Sequence, residues 1–254
     1  MAGSVNHPVT TTQKSIRILE AINQLDGGTL TEISAALEMN KSTIHNHLQT
    51  LVASELLVRD GSEYYLSLRL LEFGWRARDR QGLHGSVHPE IERLAEQTGE
   101  LANLVVEEHG HGVYLSCEAG DRAVNLNTHP GLRRPLHVTA SGKAILAHLP
   151  SQRVNEIVER SGLQAKTAQS LTSRDELADE LAQVRERKIA FDDEEHVEGL
   201  RCVAAPIFDN DEEVLGAVSL SGPKDRLHDE RFFDELPSTV KSTVNVIELN
   251  INNV

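Results

Sequence analysis

Apolar residues recur at helical spacing from residue 16 onward. Ile16, Leu19, Ile22 and Leu25 mark a first helix, which Asp26-Gly27-Gly28 ends. Thr29-Leu30-Thr31-Glu32 has the form of a capping box, so a second helix starts at once and turns Leu30, Ile33 and Leu37 inward. Glu38-Met39-Asn40 forms a tight turn. A third helix, capped by Asn40, buries Ile44, Leu48, Leu51 and Val52 and leaves Lys41, Ser42, Thr43, His45, Asn46 and Gln49 outside. The stretch LLVRDGSEYYLSL then alternates around Asp60-Gly61, which predicts a β-hairpin.

Leu68, Leu71 and Trp75 share one face of a further helix, with Arg69, Arg76, Arg78 and Arg80 elsewhere, and Gly82 to Pro89 follows as a flexible joint. Ile91, Leu94 and Ala95 begin a helix that stops at Gly99. Strand-like runs come next: LANLVVEEH, a turn at Gly110-His111-Gly112, VYLSCEA and RAVNLNT. Helices are predicted over 141–149, 151–161 and 174–188. RCVAAPIFD and EVLGAVSLS return as strands joined at Asn210-Asp211-Glu212, and a helix over about 229–250 ends the pattern. The fold class is α+β, with an antiparallel sheet in the larger part. The expected domains are 1–67, a winged helix-turn-helix; 68–85, a linker helix; and 86–254, a sensing domain.

Two short helices, a tight turn and a third helix with a small, polar outer face form a helix-turn-helix, whose last helix enters the major groove of double-stranded DNA. Asn46 and Gln49 have the chemistry to bond an adenine edge, and Ser42 and Thr43 to reach phosphate or base edges. The hairpin is placed as a wing, with Arg59 and Ser62 at or near its tip beside the DNA backbone. A three-helix unit of this kind can also bind protein. The exposed polar set on helix three favours DNA.

The chain has 254 residues and a net charge of -14, which argues at first sight against a nucleic-acid partner. The charge is unevenly divided. Residues 1–80 carry 8 Lys+Arg against 9 Asp+Glu, and the rest carries 17 against 30. Arginine outnumbers lysine 18 to 7, and acid excess with scarce lysine points to a salt-loaded cytoplasm, the halophile reading. No stretch approaches the roughly 18 apolar residues of a membrane span, and the first twenty positions lack the run of a signal peptide. Cys117 and Cys202 are too few for a disulfide scaffold or structural zinc, which fits free thiols in a reducing, cytoplasmic compartment. No cofactor is called for.

The order of winged helix, linker helix and sensing domain, together with KSTIHNHLQTLVASELL, RPLHVTASGKAILAHLP, IAFDDEEHVEGLRCVAAPIFD and SLSGP, resembles the IclR family of transcriptional regulators over nearly the whole chain. The resemblance implies a homodimer, frequently paired into a tetramer, that binds operator DNA. It also implies a small effector, often an organic acid, in a GAF-like C-terminal domain. On matching motif positions the effector pocket falls on Ala140, Ser141, Asp192, Leu200, Cys202, Ser219 and Ser221. Their chemistry agrees: Ser141-Gly142 opens a helix whose amides suit a carboxylate, and Ser219 and Ser221 point to one face of a strand. The chain departs from the family in having Asn46 where Arg is usual, His47 for Leu and Ser67 for Gly. Backbone contact from helix three is therefore expected to be reduced.

Rival chemistries are a hydrolase or metal-dependent enzyme built on the acidic block Asp192, Asp193, Glu194, Glu195 and His196. Strand residues alternate faces, so at most every second member converges, and a solvated acidic edge with one buried carboxylate is favoured. His109 and His111 with Cys117 could suggest zinc, but chance proximity is favoured in a chain with 12 His. Ser141 lacks the GxSxG elbow of a nucleophile.

Overall fold

The computed structural model describes residues 9–252, so positions 1–8 of the stretch read for a signal peptide lie outside the described residues. The chain divides into two compact units between Ala77 and Arg78. None of the helices among the described residues is long and apolar enough to cross a membrane.

The first unit runs through α1 (Thr10–Leu25), β1 (Gly28–Thr29), α2 (Leu30–Leu37), α3 (Lys41–Ala53), β2 (Leu57–Asp60) and β3 (Glu63–Leu66), and enters α4 (Arg69–Asp79). Its core gathers Ile18, Ile22, Ile33, Ile44, Leu48, Leu51, Leu57 and Tyr64. The inward face of α1 differs from expectation: Ile18, Ala21 and Ile22 are buried, whereas Ile16 and Leu25 are 50% and 43% exposed. A series spaced strictly by three drifts about 60° around the helix per step, so Ile16 and Leu25 cannot share one narrow stripe. The capping box forms, with Thr29 N–H donating to Glu32 Oε2 (2.8 Å) and Glu32 N–H to Thr29 Oγ1. Asp60 pairs with Glu63, so the two-residue hairpin loop is Gly61-Ser62, with Gly61 at φ +57°. β1 adds a third strand beside β3. Two residues are too few to show an alternation.

The second unit takes in the end of α4, and the stretch expected to be a flexible joint, Gly82–Pro89, instead enters a helix, α5 (His84–Thr98). Pro89 inside a helix costs a hydrogen bond and a clash, about 3 kcal/mol. Burial of Leu83 and Val87 in the core offsets this, at roughly 1.5–3 kcal/mol each. A six-stranded antiparallel sheet follows, in the order β6-β5-β4-β9-β8-β7. Its strands are β4 (Leu101–Glu108), β5 (His111–Ala119), β6 (Arg133–Pro135), β7 (Ala190–Asp193), β8 (Leu200–Phe208) and β9 (Val214–Pro223). The first turn is His109-Gly110, both at positive φ, rather than Gly110-His111-Gly112.

RAVNLNT is not a strand. The Leu126 and Thr128 amides bond back to the carbonyls of Val124 and Leu126, two residues away, which consumes the groups a ladder needs. α6 (Ala140–Leu146), α7 (Ser151–Ser161) and α8 (Arg174–Arg187) cover one sheet face. α5 and α9 (Leu236–Asn252, entered through a π-turn over Arg231–Glu235) cover the other. Alternation therefore sorts two cores: Val203, Ala205, Ile207, Val218 and Leu220 face α5 and α9, whereas Cys202, Ala204 and Ala217 face α6 to α8. Gly142 in α6 lies so close to the Leu136 backbone that any Cβ would collide with it.

Candidate functional site

The N-terminal candidate is the outer face of α3. Asn40 Oδ1 accepts the Ser42 N–H (2.8 Å) and the Ser42 hydroxyl (2.7 Å), which fixes the helix start. Ser42, His45, Asn46 and Gln49 are exposed at i, i+3, i+4 and i+7, one stripe along the helix. Thr43 is half-buried, and Lys41 Nζ donates to Thr31 Oγ1 (3.0 Å). His47 is buried and its Nδ1 meets Ser15 Oγ at 2.8 Å, so this departure from the family pattern falls on the inner side of the helix, against α1. At the wing, Arg59 Nε donates to Gly61 O (3.0 Å) beside the exposed Ser62.

The second unit holds a cavity of about 210 Å³ on the α6-to-α8 face of the sheet. All seven residues named from the sequence line it: Ala140 and Ser141 where α6 opens, Asp192 on β7, Leu200 and Cys202 on β8, and Ser219 and Ser221 on β9. Strand register explains the convergence, because Cys202 lies between Asp192 and Ser221, and Ser219 lies beside Asn103 of β4. Asn103, Tyr114, Arg134, Thr139 and His196 also line the cavity and were not singled out from the sequence. Asn127 and Thr128 do so as well, from the segment misread as a strand.

Burial dominates the electrostatics. Asp192 Oδ1 accepts the N–H groups of Glu195 (2.7 Å) and His196 (3.3 Å), yet burial, reinforced by the Glu195 charge, lifts its carboxyl to about 7. Burial, and then the charges of Arg134, Lys166 and His137, hold His196 down at about 4. Burial likewise pushes the Cys202 thiol well above its ordinary value. Near neutral pH the lining therefore holds an uncharged imidazole, an uncharged thiol, a carboxyl near its midpoint and the Arg134 cation. Two buried lining atoms, Asn103 Oδ1 and His196 Nδ1, have no hydrogen-bond partner among the described residues.

The acidic block does not assemble as a catalytic or metal centre. Arg201 clamps both Asp193 oxygens (2.7 and 2.9 Å), Lys224 holds Glu194, and the buried Lys143 holds Glu195. Of the five residues only Asp192 and His196 reach the cavity. No group of three or more His, Cys, Asp or Glu fit to hold a metal occurs among the described residues.

Residues 11–61 match the family described as the IclR helix-turn-helix domain, and residues 76–249 match the one described as Bacterial transcriptional regulator IclR C-terminal. The chain is 34% identical to the "Probable HTH-type transcriptional regulator ArcR" of Halobacterium salinarum, covering 96% of this chain and 94% of that protein. It is 32% identical to the transcriptional repressor IclR of Escherichia coli, over 86% and 81% of the two chains. The crystal structure of the Thermotoga maritima IclR superposes with a TM-score of 0.76 at 26% identity, covering 96% of this chain and 99% of that one. These relatives are regulators, and nothing among them supports a hydrolase or metal-dependent enzyme. A winged helix-turn-helix with a polar stripe, an antiparallel sensing domain enclosing a lined cavity, and matches along both units agree: the chain belongs to the IclR family of ligand-responsive, DNA-binding transcriptional regulators.

Proposed function

We propose that this regulator is a cytoplasmic repressor of a metabolic gene cluster, released or retuned by a small organic acid bound in the cavity. DNA is read by Lys41, Ser42, Thr43, His45, Asn46 and Gln49 of α3, with Arg59 and Ser62 of the wing against the backbone. The effector is held by Ala140, Ser141, Asp192, Leu200, Cys202, Ser219 and Ser221. The observation that carries the reading is the convergence of those seven residues, from four separate elements, on one cavity. At about 210 Å³ it is smaller than the roughly 300–1,000 Å³ of drug-sized sites, which favours a small metabolite.

The working form is a homodimer or homotetramer, with 1–67 as the DNA-binding domain, 68–85 as the linker and 86–254 as the sensor. Exposure of Leu68 (86%), just before α4, and Leu71 (68%), in its first turn, supports an oligomer, since apolar side chains standing together on a surface favour burial against a partner. The acid-rich, lysine-poor composition and the Halobacterium relative support a salt-loaded cytoplasm.

The test is selection of host genome fragments by the purified protein at two salt concentrations, with Ser42→Ala/Asn46→Ala as control. A palindromic site is expected that the variant loses, at about 1–3 kcal/mol per base contact. Binding weakens with log salt by about 0.9 per phosphate neutralised, so the few basic residues of the first unit predict a shallow slope. Equal enrichment by the variant removes α3 from recognition, and a steep slope removes the halophile reading.

A further inference from the structure

We propose that Arg134 is the anion-docking residue of the cavity, and that its ligand is a small hydroxycarboxylate whose carboxylate lies against the guanidinium while its hydroxyl reaches Asn103 and the Ser219–Ser221 pair. The inference rests on reading this cavity as the effector pocket. It goes further by assigning the pole that recognises the charge.

The lining is ordered by the sheet. Arg134 comes from β6 at one edge and Asp192 from β7 at the other, and the strands between contribute Tyr114, Asn103, Ser219, Ser221 and Cys202, all neutral polar groups. The cationic end of the lining is therefore the β6 side, and the group that can carry negative charge is at the β7 side. Arg133 and Arg134 point to opposite faces of their strand. Arg133 Nη2 approaches His111 Nδ1 (3.2 Å) away from the cavity, and Arg134 lines it.

Arg134 stands apart from the other buried and half-buried cations of its unit. Lys143, Arg153, Arg187, Arg201, Arg226 and Arg231 each make an ion pair, in a unit with 31 acidic residues to choose from. Arg134 is half-buried and makes no ion pair among the described residues. A guanidinium drawn partly out of water without a counter-charge is costly unless an anion arrives, and a planar carboxylate meets its fork with two parallel bonds. Burial first, and then the Arg134 charge, lowers the His196 imidazole, which lines the same cavity.

The middle of the lining supplies an independent observation. Asn103 is 1% exposed and lines the cavity; its Nδ2 donates to Ser219 Oγ (3.4 Å), and its Oδ1 has no partner among the described residues. A buried acceptor without a donor asks for one from the ligand, which a hydroxyl provides and a second carboxylate does not.

Titration calorimetry on the full chain tests this with three acids, lactate, glycerate and gluconate, each beside its own amide. In the parent at least one acid binds and its amide binds about 10- to 100-fold more weakly, the fold-change of losing a charge-assisted hydrogen bond. Arg134→Gln should bring the acid down to its amide while leaving the amide within about twofold, and Arg134→Lys should recover part of the loss. Ser219→Ala/Ser221→Ala should weaken acid and amide together. Failure of all three acids to bind the parent, equal binding of acid and amide, or an Arg134→Gln protein that keeps its acid preference overturns the inference. If Arg134→Gln abolishes the preference but the serine pair changes neither ligand, the hydroxyl assignment falls. If an acid binds and neither variant changes its affinity, the cavity itself is misread as the effector pocket.

Discussion

The two units place their polar chemistry on opposite sides of their cores. In residues 9–77 the interior is almost wholly apolar, and the groups suited to recognition, Ser42, His45, Asn46 and Gln49, stand in solvent on the outer stripe of α3. In the second unit the polar groups are inside: Asn103, Ser141, Asp192, Ser219 and Ser221 are all at least 93% buried around the cavity, and Lys143 with Glu195 lies buried beside it. An outer stripe needs only a helix beneath it, so its members can change with little cost to folding. Buried polar groups must be satisfied by neighbours or by a ligand, so function and stability are coupled in the second unit and nearly separate in the first.

The largest expected break in this comparison comes from Lys143. Its ammonium, 2% exposed, bonds Glu195 and lies 3.5 Å from Glu180, which Arg187 also holds at 2.8 Å. Removing one partner of a buried pair strands the other charge, so Lys143→Ala should cost about 3–5 kcal/mol in urea denaturation. Adding Glu195→Gln should return part of that. A loss under about 1 kcal/mol would mean that water reaches the pair, and the polar interior would not bear on folding.

The first unit offers a sharper contrast between neighbours. Ile18→Ala removes a fully buried side chain of the α1 face and should cost about 2–5 kcal/mol, whereas Ile16→Ala, on a half-exposed residue two positions earlier, should stay within about 0.5 kcal/mol. Equal effects in circular-dichroism melts would restore the stripe that strict three-residue spacing suggested.

How far each region was legible follows from the same geometry. The α3 stripe and the Thr29–Glu32 box are local: both partners lie within one or two turns, so spacing reveals them. Ser219 and Ser221 were legible as a pair because a strand repeats every two residues, but their meeting with Asp192 and Cys202 depends on pairing between distant segments and came from motif resemblance. Asn103 was hidden because β4 is buried on both faces and shows no alternation. Arg134 sits in a three-residue strand, too short to carry a pattern. Asn127 and Thr128 follow apolar residues spaced like a strand whose amides are spent on tight local turns.

The subtlest test asks what state the β7 edge of the cavity presents to a ligand. Asp192 ionises near 7 in the folded protein against an ordinary 3.8, so between these values the native state holds more protons than the unfolded chain and stability falls as pH rises. His196 acts with the opposite sign: held at about 4 against 6.5, it leaves the native state with fewer protons, and stability rises across that window. The two partly cancel in the parent protein. Asp192→Asn keeps an oxygen for the Glu195 and His196 amides but removes the titration, so its stability relative to the parent should increase from pH 5 to pH 6.5. The slope is bounded by about 1.4 kcal/mol per pH unit for one proton, giving a gain of roughly 1–2 kcal/mol in urea denaturation at the two pH values. If the difference between variant and parent is instead the same at both, Asp192 is already ionised throughout. The cavity then carries a fixed negative charge opposite Arg134, and a ligand hydroxyl at that edge must donate to Asp192 rather than accept from it.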